Sequence, residues 1–166
     1  MREMHWPPAA RAEGVILENP RLTAHALRGL GSTLLSGDLE KAIEALARGA
    51  PTLGLYARAP EGAHALRIAR DRALLVTPAP LRADDGWREG WCATSLDDAW
   101  AALDVSGPDA ALALMQGTAA DLAGGSPSAA VRFAGLRCLL LRTETGFRLH
   151  LEAPWLTALV TWLDGV

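Results

Sequence analysis

The chain has 166 residues, half of them apolar and about a fifth charged, which fits one compact globular domain with its own hydrophobic core. Its formal net charge of −3 argues against nucleic acid as a partner, because nonspecific nucleic-acid binding needs clustered cationic charge. No apolar run approaches the roughly 20 residues that cross a bilayer, and residues 1–11 lack the apolar stretch of a secretory signal, so we expect a cytoplasmic protein with no membrane partner.

The first elements are predicted from turn signals and apolar runs. Residues 1–14 contain no periodic apolar pattern and are predicted to form an extended arm. A short strand at residues 22–27 follows the Asn19-Pro20 turn signal. The glycine-flanked segment 31–37 lacks the lysine of a phosphate-binding loop, so we predict a flexible loop that leads into a helix.

A helix is predicted over residues 39–48. Asp38 suits its N-cap position, and Gly49 supplies the left-handed residue that commonly ends a helix. Pro51 then prevents the helix from continuing. A strand is predicted to follow over residues 52–57.

The middle of the chain is predicted to hold a hairpin and then an irregular seam. Two short β-like runs, 65–69 and 72–77, are separated by Arg70-Asp71, which favours a β-hairpin. The stretch 78–96 contains prolines and glycines and has little periodicity. We predict that this stretch separates two halves of the chain.

The second half repeats the order of elements. A strand is predicted over residues 99–105, and Ser106-Gly107-Pro108-Asp109 has the residues of a helix start before a helix over 110–116. Three strands and a closing helix follow, at residues 129–133, 136–142, 147–151 and 154–163. The last of these strands alternates apolar and polar residues, as a strand with one exposed face does.

These elements predict an α+β protein with mainly antiparallel sheets and helices on one face. Residues 15–166 are predicted to form a single domain made of two related halves, about 15–80 and 92–166. Ser36-Gly37-Asp38 before the first helix echoes the helix start at residues 106–109. Chance can also produce such an echo in a chain rich in Ala, Leu and Gly.

The reactive side chains form no recognisable catalytic or metal-binding pattern, so no catalytic, cofactor-binding or metal-ligating residue is predicted. The four histidines lack the i,i+3 or i,i+4 spacing that places two imidazoles on one metal. Cys92 and Cys138 are far apart in the sequence and are predicted to be reduced, buried thiols. Structural roles are predicted for Asp104, within a strand pattern, and for Asp121, within a turn.

The tryptophans indicate an interface. The terminal helix has no charged residue over residues 154–163, so it is expected to be buried on more than one side, under its own chain or against a second protein. Two further tryptophans add apolar surface within the seam. The candidate interface residues are Trp87, Trp91, Trp155, Leu159 and Trp162. The alternative is that these side chains fill the core of this chain.

Residues 104–122 resemble the strand–helix–turn signature of the folate-binding aminomethyltransferase fold. Within that superfamily, the hairpin at residues 65–76 and the run from Phe147-Arg148-Leu149 to Trp162-Leu163 are most similar to the gamma subunit of heterotetrameric sarcosine oxidase. The resemblance covers about two-thirds of the chain and implies two ferredoxin-like halves. One departure is that no carboxylate follows Asp121 until Glu144, which leaves no candidate general base near the folate turn.

The resemblance implies a non-catalytic gamma-like subunit that serves in assembly. Its partners would be larger flavoprotein subunits that carry out the oxidative demethylation of sarcosine. FAD, FMN, NAD and tetrahydrofolate would belong to those partner chains, and no cofactor is expected on this one. Two alternatives stay open: a free-standing tetrahydrofolate-binding or aminomethyltransferase-like protein, and a homo-oligomer that covers its apolar surface with copies of itself.

Overall fold

The computed structural model describes residues 14–81 and 85–166. Within these residues the chain forms twelve β-strands, three α-helices and one 3₁₀ turn. The strands are β1 (Gly14–Glu18), β2 (Thr23–Leu27), β3 (Gly31–Gly37), β4 (Thr52–Leu53), β5 (His64–Ala69), β6 (Arg72–Thr77), β7 (Gly86–Arg88), β8 (Trp91–Ser95), β9 (Trp100–Ser106), β10 (Ala130–Phe133), β11 (Leu136–Arg142) and β12 (Gly146–Glu152). The helices are α1 (Leu39–Leu46), α2 (Ala110–Gly117) and α3 (Leu156–Asp164), the last preceded by the 3₁₀ turn Ala153–Trp155.

The strands form two six-stranded sheets that pack face to face. The first sheet has the order β1-β2-β9-β12-β11-β10, and the second has the order β4-β5-β6-β3-β8-β7. In the described part of the chain, every strand pairing except β4–β5 is antiparallel. The prediction of an α+β protein with mainly antiparallel sheets is therefore confirmed.

Three apolar clusters give the molecule four layers. Helices α2 and α3 cover the outer face of the first sheet, and α1 covers the outer face of the second. Between the sheets, leucines of the second sheet such as Leu66 and Leu74 pack against Leu139 and Leu141 of the first. Each sheet therefore carries its helices on one face and presents the other face to its neighbour.

The two sheets share one strand order, and each takes a hairpin from the other half of the chain. Read from the opposite edge, the second sheet runs β7-β8-β3-β6-β5-β4, so β3 corresponds to β9 and β6 corresponds to β12. The N-terminal hairpin β1–β2 pairs with β9, and the hairpin β7–β8 pairs with β3. Each central strand thus obtains one neighbour from the other half of the chain.

Two glycines occupy equivalent positions where each exchanged hairpin meets a central strand. Gly37 (φ 97°) lies against the backbone of Gly90 and Trp91, and Gly107 (φ 119°) lies against the backbone of Arg21 and Leu22. A Cβ atom on Gly107 would lie 2.5 Å from the carbonyl oxygen of Arg21. The echo between the two helix starts therefore coincides with the same backbone contact in both halves.

The structure adds strands that the sequence did not predict. Residues 31–37, predicted to be a flexible loop, form the central strand β3. The seam at 78–96, expected to be irregular, contains the hairpin β7–β8. The strand predicted at 52–57 ends at Leu53 and is followed by a turn at residues 55–56, in which Tyr56 has a left-handed conformation (φ 56°). The predicted N-terminal arm lies outside the described residues except for Gly14, which begins β1.

The first helix follows its capping signals. The Asp38 side chain accepts a hydrogen bond from the backbone N–H of Lys41, and this bond lowers the pKa of the Asp38 carboxyl. Gly49 has the expected positive φ of 79°, but the helix ends at Leu46 with Ala47 as its C-cap, two residues before the predicted end. At the second helix the predicted Ser106 hydroxyl cap is wrong, because Asp109 occupies the N-cap position and makes no side-chain capping hydrogen bond.

Replacement of Gly107 tests whether the hairpin contact holds the two halves together. We expect Gly107→Ala to lower the free energy of unfolding by roughly 2–5 kcal/mol, because it adds left-handed strain and a backbone clash. Gly37→Ala should behave in the same way. Gly49→Ala is the matched control: its φ is also positive but nothing lies within 4 Å, so a cost of only about 1–2 kcal/mol is expected. Urea denaturation measures all three variants, and equal costs for Gly107 and Gly49 would contradict a backbone clash at Gly107.

Candidate functional site

A wide groove opens beside strands β2, β9 and β12, on the face of the first sheet that carries Asp104 and Arg148. Its volume is about 1270 Å³, and it is closed on one side by residues 58–61 and 143–145. The charged and imidazole side chains that line it are His25, Arg28, Arg58, Glu61, Asp104, Glu144 and Arg148. We call this the Asp104 groove. Its formal charges are balanced, with three arginines and three carboxylates.

An ion pair forms the floor of the Asp104 groove. The register of β9 and β12 places Asp104 directly opposite Arg148, with both side chains on the face toward the second sheet. Arg148 donates from Nε to Oδ1 of Asp104 (2.6 Å) and from a terminal nitrogen to Oδ2 (2.9 Å). The Asp104 side chain is only 29% exposed and the Arg148 side chain only 18%. Both carboxylate oxygens of Asp104 therefore accept a hydrogen bond from the same guanidinium group.

A second ion pair lies at the mouth of the groove. Arg58 contacts Glu144, and both side chains are largely exposed. The segment that carries Arg58 is fixed by backbone hydrogen bonds between Ala57 or Ala59 and Arg142 at the end of β11. The groove wall is therefore attached to the first sheet although it belongs to the first half of the chain.

Two buried histidines lie behind the ion pair, between the sheets. His64 on β5 and His150 on β12 have ring centroids 6.3 Å apart, and among the described residues neither Nε2 atom has a hydrogen-bond partner. Nδ1 of His64 bonds to the carbonyl oxygen of Gly62 (2.8 Å). Burial, followed by the nearby His64 and Arg148, lowers the pKa of His150 from 6.5 to about 3. Burial also lowers the pKa of His64, and both rings are therefore neutral at neutral pH.

The predicted interface residues divide between surface and core. Trp87 on the edge strand β7 is 78% exposed, and Trp155 at the start of the terminal helical segment is 50% exposed. Trp91 and Leu159 are buried in the core of their own chain, which removes them from any exposed surface. Trp162 is half-buried and its ring contacts Phe133 edge-on. The alternative of core filling therefore applies to Trp91 and Leu159.

The outer side of α2 and α3 is an apolar surface that the sequence analysis identified only in part. Both helices cover the same face of the first sheet. Apart from Asp164 at the end of α3, they contain no charged residue. We define the outer helix surface by its exposed apolar residues Ala111, Leu112, Met115, Trp155 and Ala158. The sequence analysis did not predict Leu112 and Met115 as interface residues, although the eight residues of α2 carry no charge and could have indicated them.

Asp121 and the two cysteines lie in local structural environments and not at a site of convergent reactive groups. Asp121 accepts hydrogen bonds from the backbone N–H groups of Ala123 and Gly124 (both 3.0 Å), as a turn aspartate does. Cys138 is buried, and burial raises the pKa of its thiol to about 12, whereas Cys92 is only partly buried. Among residues 14–81 and 85–166, no three histidine, cysteine or acidic side chains cluster as metal ligands, and no helix is long and apolar enough to cross a membrane.

Comparison with known proteins gives one kind of match. No family model matches the chain, and no curated protein matches it in sequence. One chain of the heterotetrameric sarcosine oxidase from Corynebacterium sp. U-96, solved in complex with pyrrole 2-carboxylate, has a similar structure with a TM-score of 0.67 and 22% sequence identity. The alignment covers 90% of this chain and 85% of that chain. The protein therefore has a sarcosine oxidase-related fold.

The Asp104–Arg148 pair can be tested by replacing one or both partners. Asp104→Leu or Arg148→Leu alone should lower the free energy of unfolding by roughly 1–3 kcal/mol, because each leaves a poorly solvated charge without its partner. The double variant should cost less than the sum of the two, as measured in a urea double-mutant cycle. Arg58→Ala is the control and should cost less than about 1 kcal/mol, since the Arg58–Glu144 pair is exposed. Additive costs at Asp104 and Arg148 would contradict a coupled pair.

The buried histidines predict a loss of stability in acid. In the unfolded chain His150 becomes protonated below about pH 6.5, whereas in the folded chain it stays neutral down to about pH 3. His150 alone should therefore lower the free energy of unfolding by about 2 kcal/mol between pH 7 and pH 5. His150→Leu should remove this part of the pH dependence, while its difference from the wild type at pH 8 reports packing alone. The prediction fails if the two chains show parallel stability profiles from pH 8 to pH 5.

Proposed function

We propose that this chain is a small, non-catalytic subunit, of the gamma type, in a heterotetrameric sarcosine oxidase-like complex. In this proposal the larger flavoprotein subunits carry out the oxidative demethylation of sarcosine and hold the FAD, FMN, NAD and tetrahydrofolate. The observation that carries it is the fold shared with a chain of a heterotetrameric sarcosine oxidase, over 85% of that chain's length. The two chains are thus of similar size.

The outer helix surface supports a role in assembly. A helix layer on a self-contained protein normally presents charged residues to water. Here Leu112, Met115 and Trp155 are exposed on a layer almost without charge. Covering such large apolar side chains contributes on the order of 1.5–3 kcal/mol each. We assign this surface to the contact with a larger subunit.

The chemistry of the Asp104 groove favours a structural role over one-carbon transfer. A transfer site would need a carboxylate able to take up a proton beside the bound folate. Asp104 is instead engaged through both oxygens by Arg148. No Trp, Tyr or Phe among the described residues lines the groove, and Asp121 does not line it either, so the convergent acid and aromatic wall of a folate site are not brought together.

Co-expression with the flavoprotein subunits that the proposal expects to be encoded beside this chain tests the proposal. We expect this chain to co-elute with flavin absorbance in size-exclusion chromatography, and the complex to require it for full sarcosine-dependent peroxide formation. Met115→Asp and Trp155→Asp should each weaken association at least about tenfold, because each places a charge in an apolar contact. Trp87→Asp makes the same kind of change on the edge of the second sheet, and a loss of association there but not at Met115 or Trp155 would move the contact from the outer helix surface to that edge.

The outcomes separate the proposal from its alternatives. A chain that stays monomeric and never co-elutes with flavin would refute the assembly role. Light scattering that shows a stable homodimer, dissociated by Met115→Asp, would assign the outer helix surface to a second copy. Heat on titration with tetrahydrofolate would instead support a free-standing folate-binding protein, and no heat at millimolar ligand would remove that alternative.

A further inference from the structure

A second groove lies at the opposite end of the layer between the sheets. Its volume is about 640 Å³, within the range of small-molecule sites. Its apolar wall includes Leu34 and Ile68 of the second sheet and Trp100 of the first. Three arginines and one glutamate complete the lining: Arg72, Arg132, Arg137 and Glu152. We call this the Arg132 groove.

The register of the first sheet places two of these arginines side by side. Arg132 on β10 lies directly opposite Arg137 on β11. Ala130 and Leu139, two residues along each strand, share their face, so both arginine side chains leave the sheet on the side of the buried Leu139, and both are exposed there. Like charges directly opposite on neighbouring strands destabilise a sheet. An anion placed between them would relieve that repulsion.

The arginines of this groove are not neutralised by the described part of the chain. Arg132 donates one hydrogen bond to the carbonyl oxygen of Gly135 (3.0 Å). Among residues 14–81 and 85–166, no carboxylate forms an ion pair with Arg72, Arg132 or Arg137. The single glutamate leaves the lining with two positive charges in excess. In the Asp104 groove, by contrast, charges balance and the central arginine is paired.

The correspondence between the two sheets explains the apolar wall. Aligning β3 with β9 through Gly37 and Gly107 makes Leu34 the counterpart of Asp104, and its partner Leu74 the counterpart of Arg148. The ion pair at one end of the inter-sheet layer thus corresponds to two leucines at the other. The Arg132 groove therefore combines an apolar wall with an uncompensated cationic rim.

We propose that the Arg132 groove binds a small organic acid with an apolar body, of the kind represented by a medium-chain fatty acid. Its carboxylate accepts hydrogen bonds from Arg132 and Arg137, and its hydrocarbon part covers Leu34, Ile68 and Trp100. The excess positive charge of the arginines is complemented by the carboxylate, and the apolar wall is covered by the hydrocarbon part. The proposal does not rest on the assembly role, because the site lies within this chain alone.

Titration of the purified full chain with octanoate tests the site, with octanol and acetate as comparison ligands. We expect octanoate to bind with a dissociation constant of about 1 mM or lower and at least about tenfold more tightly than either comparison ligand, because each has only half of the required chemistry. Arg137→Gln should weaken octanoate binding about tenfold, as loss of a charged hydrogen bond does. Arg48→Gln removes an exposed arginine that follows α1 and does not line the groove, and this change should leave octanoate binding unchanged.

A second variant keeps the test independent of charge. Ala130→Phe places a ring at an exposed position of the groove and should abolish octanoate binding while circular dichroism shows a folded chain. Equal affinity for octanoate and octanol, or no effect of either variant, would overturn the proposal. Octanoate that binds the isolated chain but is excluded from an assembled complex would show that a partner segment occupies the groove, and would overturn the small-molecule assignment.

Discussion

The exchange of β-hairpins between the two halves is the constraint on which the rest of the structure depends. Strand β9 receives β2 from the first half, and β3 receives β8 from the second, so each sheet contains strands from both sides of the chain. The exchange brings backbone atoms so close at Gly37 and Gly107 that only a hydrogen fits in place of a side chain. Neither half can complete its own sheet, because its central strand would be left with an unpaired edge.

The same exchange explains why the grooves lie between the sheets and why they differ. Two sheets with one strand order place equivalent positions at opposite ends of the inter-sheet layer. At one end the pair is Asp104–Arg148, and at the other it is Leu34–Leu74. His150 lies between these ends, where burial keeps it neutral. The Asp104–Arg148 pair can occupy this poorly solvated layer because each charge is hydrogen-bonded to the other. The same bonds occupy both oxygens of Asp104, so its carboxylate is poorly suited to proton transfer.

Local signals in the sequence predicted the elements that local chemistry decides. The cap at Asp38, the left-handed Gly49 and the hairpin around residues 70–71 were all identified correctly. Strand β3 was missed because it is central, begins and ends with glycine, and shows no regular alternation of apolar and polar residues. His150 was placed on a polar face by its strand pattern, but the second sheet covers that face. Packing against a distant part of the chain cannot be predicted from the pattern of neighbouring residues.

The division of the tryptophans follows from the same limit. A stripe of apolar residues on a helix shows that one side is buried, but not which layer buries it, so Leu159 and Trp155 look alike in the sequence although one is in the core and the other is half exposed. With both faces of each sheet covered by this chain, recognition is left to the outer helix surface, the exposed strand edges and the mouths of the grooves. The helix surface is apolar and almost uncharged, which suits a permanent contact. The Arg132 groove is concave and cationic, which suits a small anion, so the two proposed sites do not compete for the same surface.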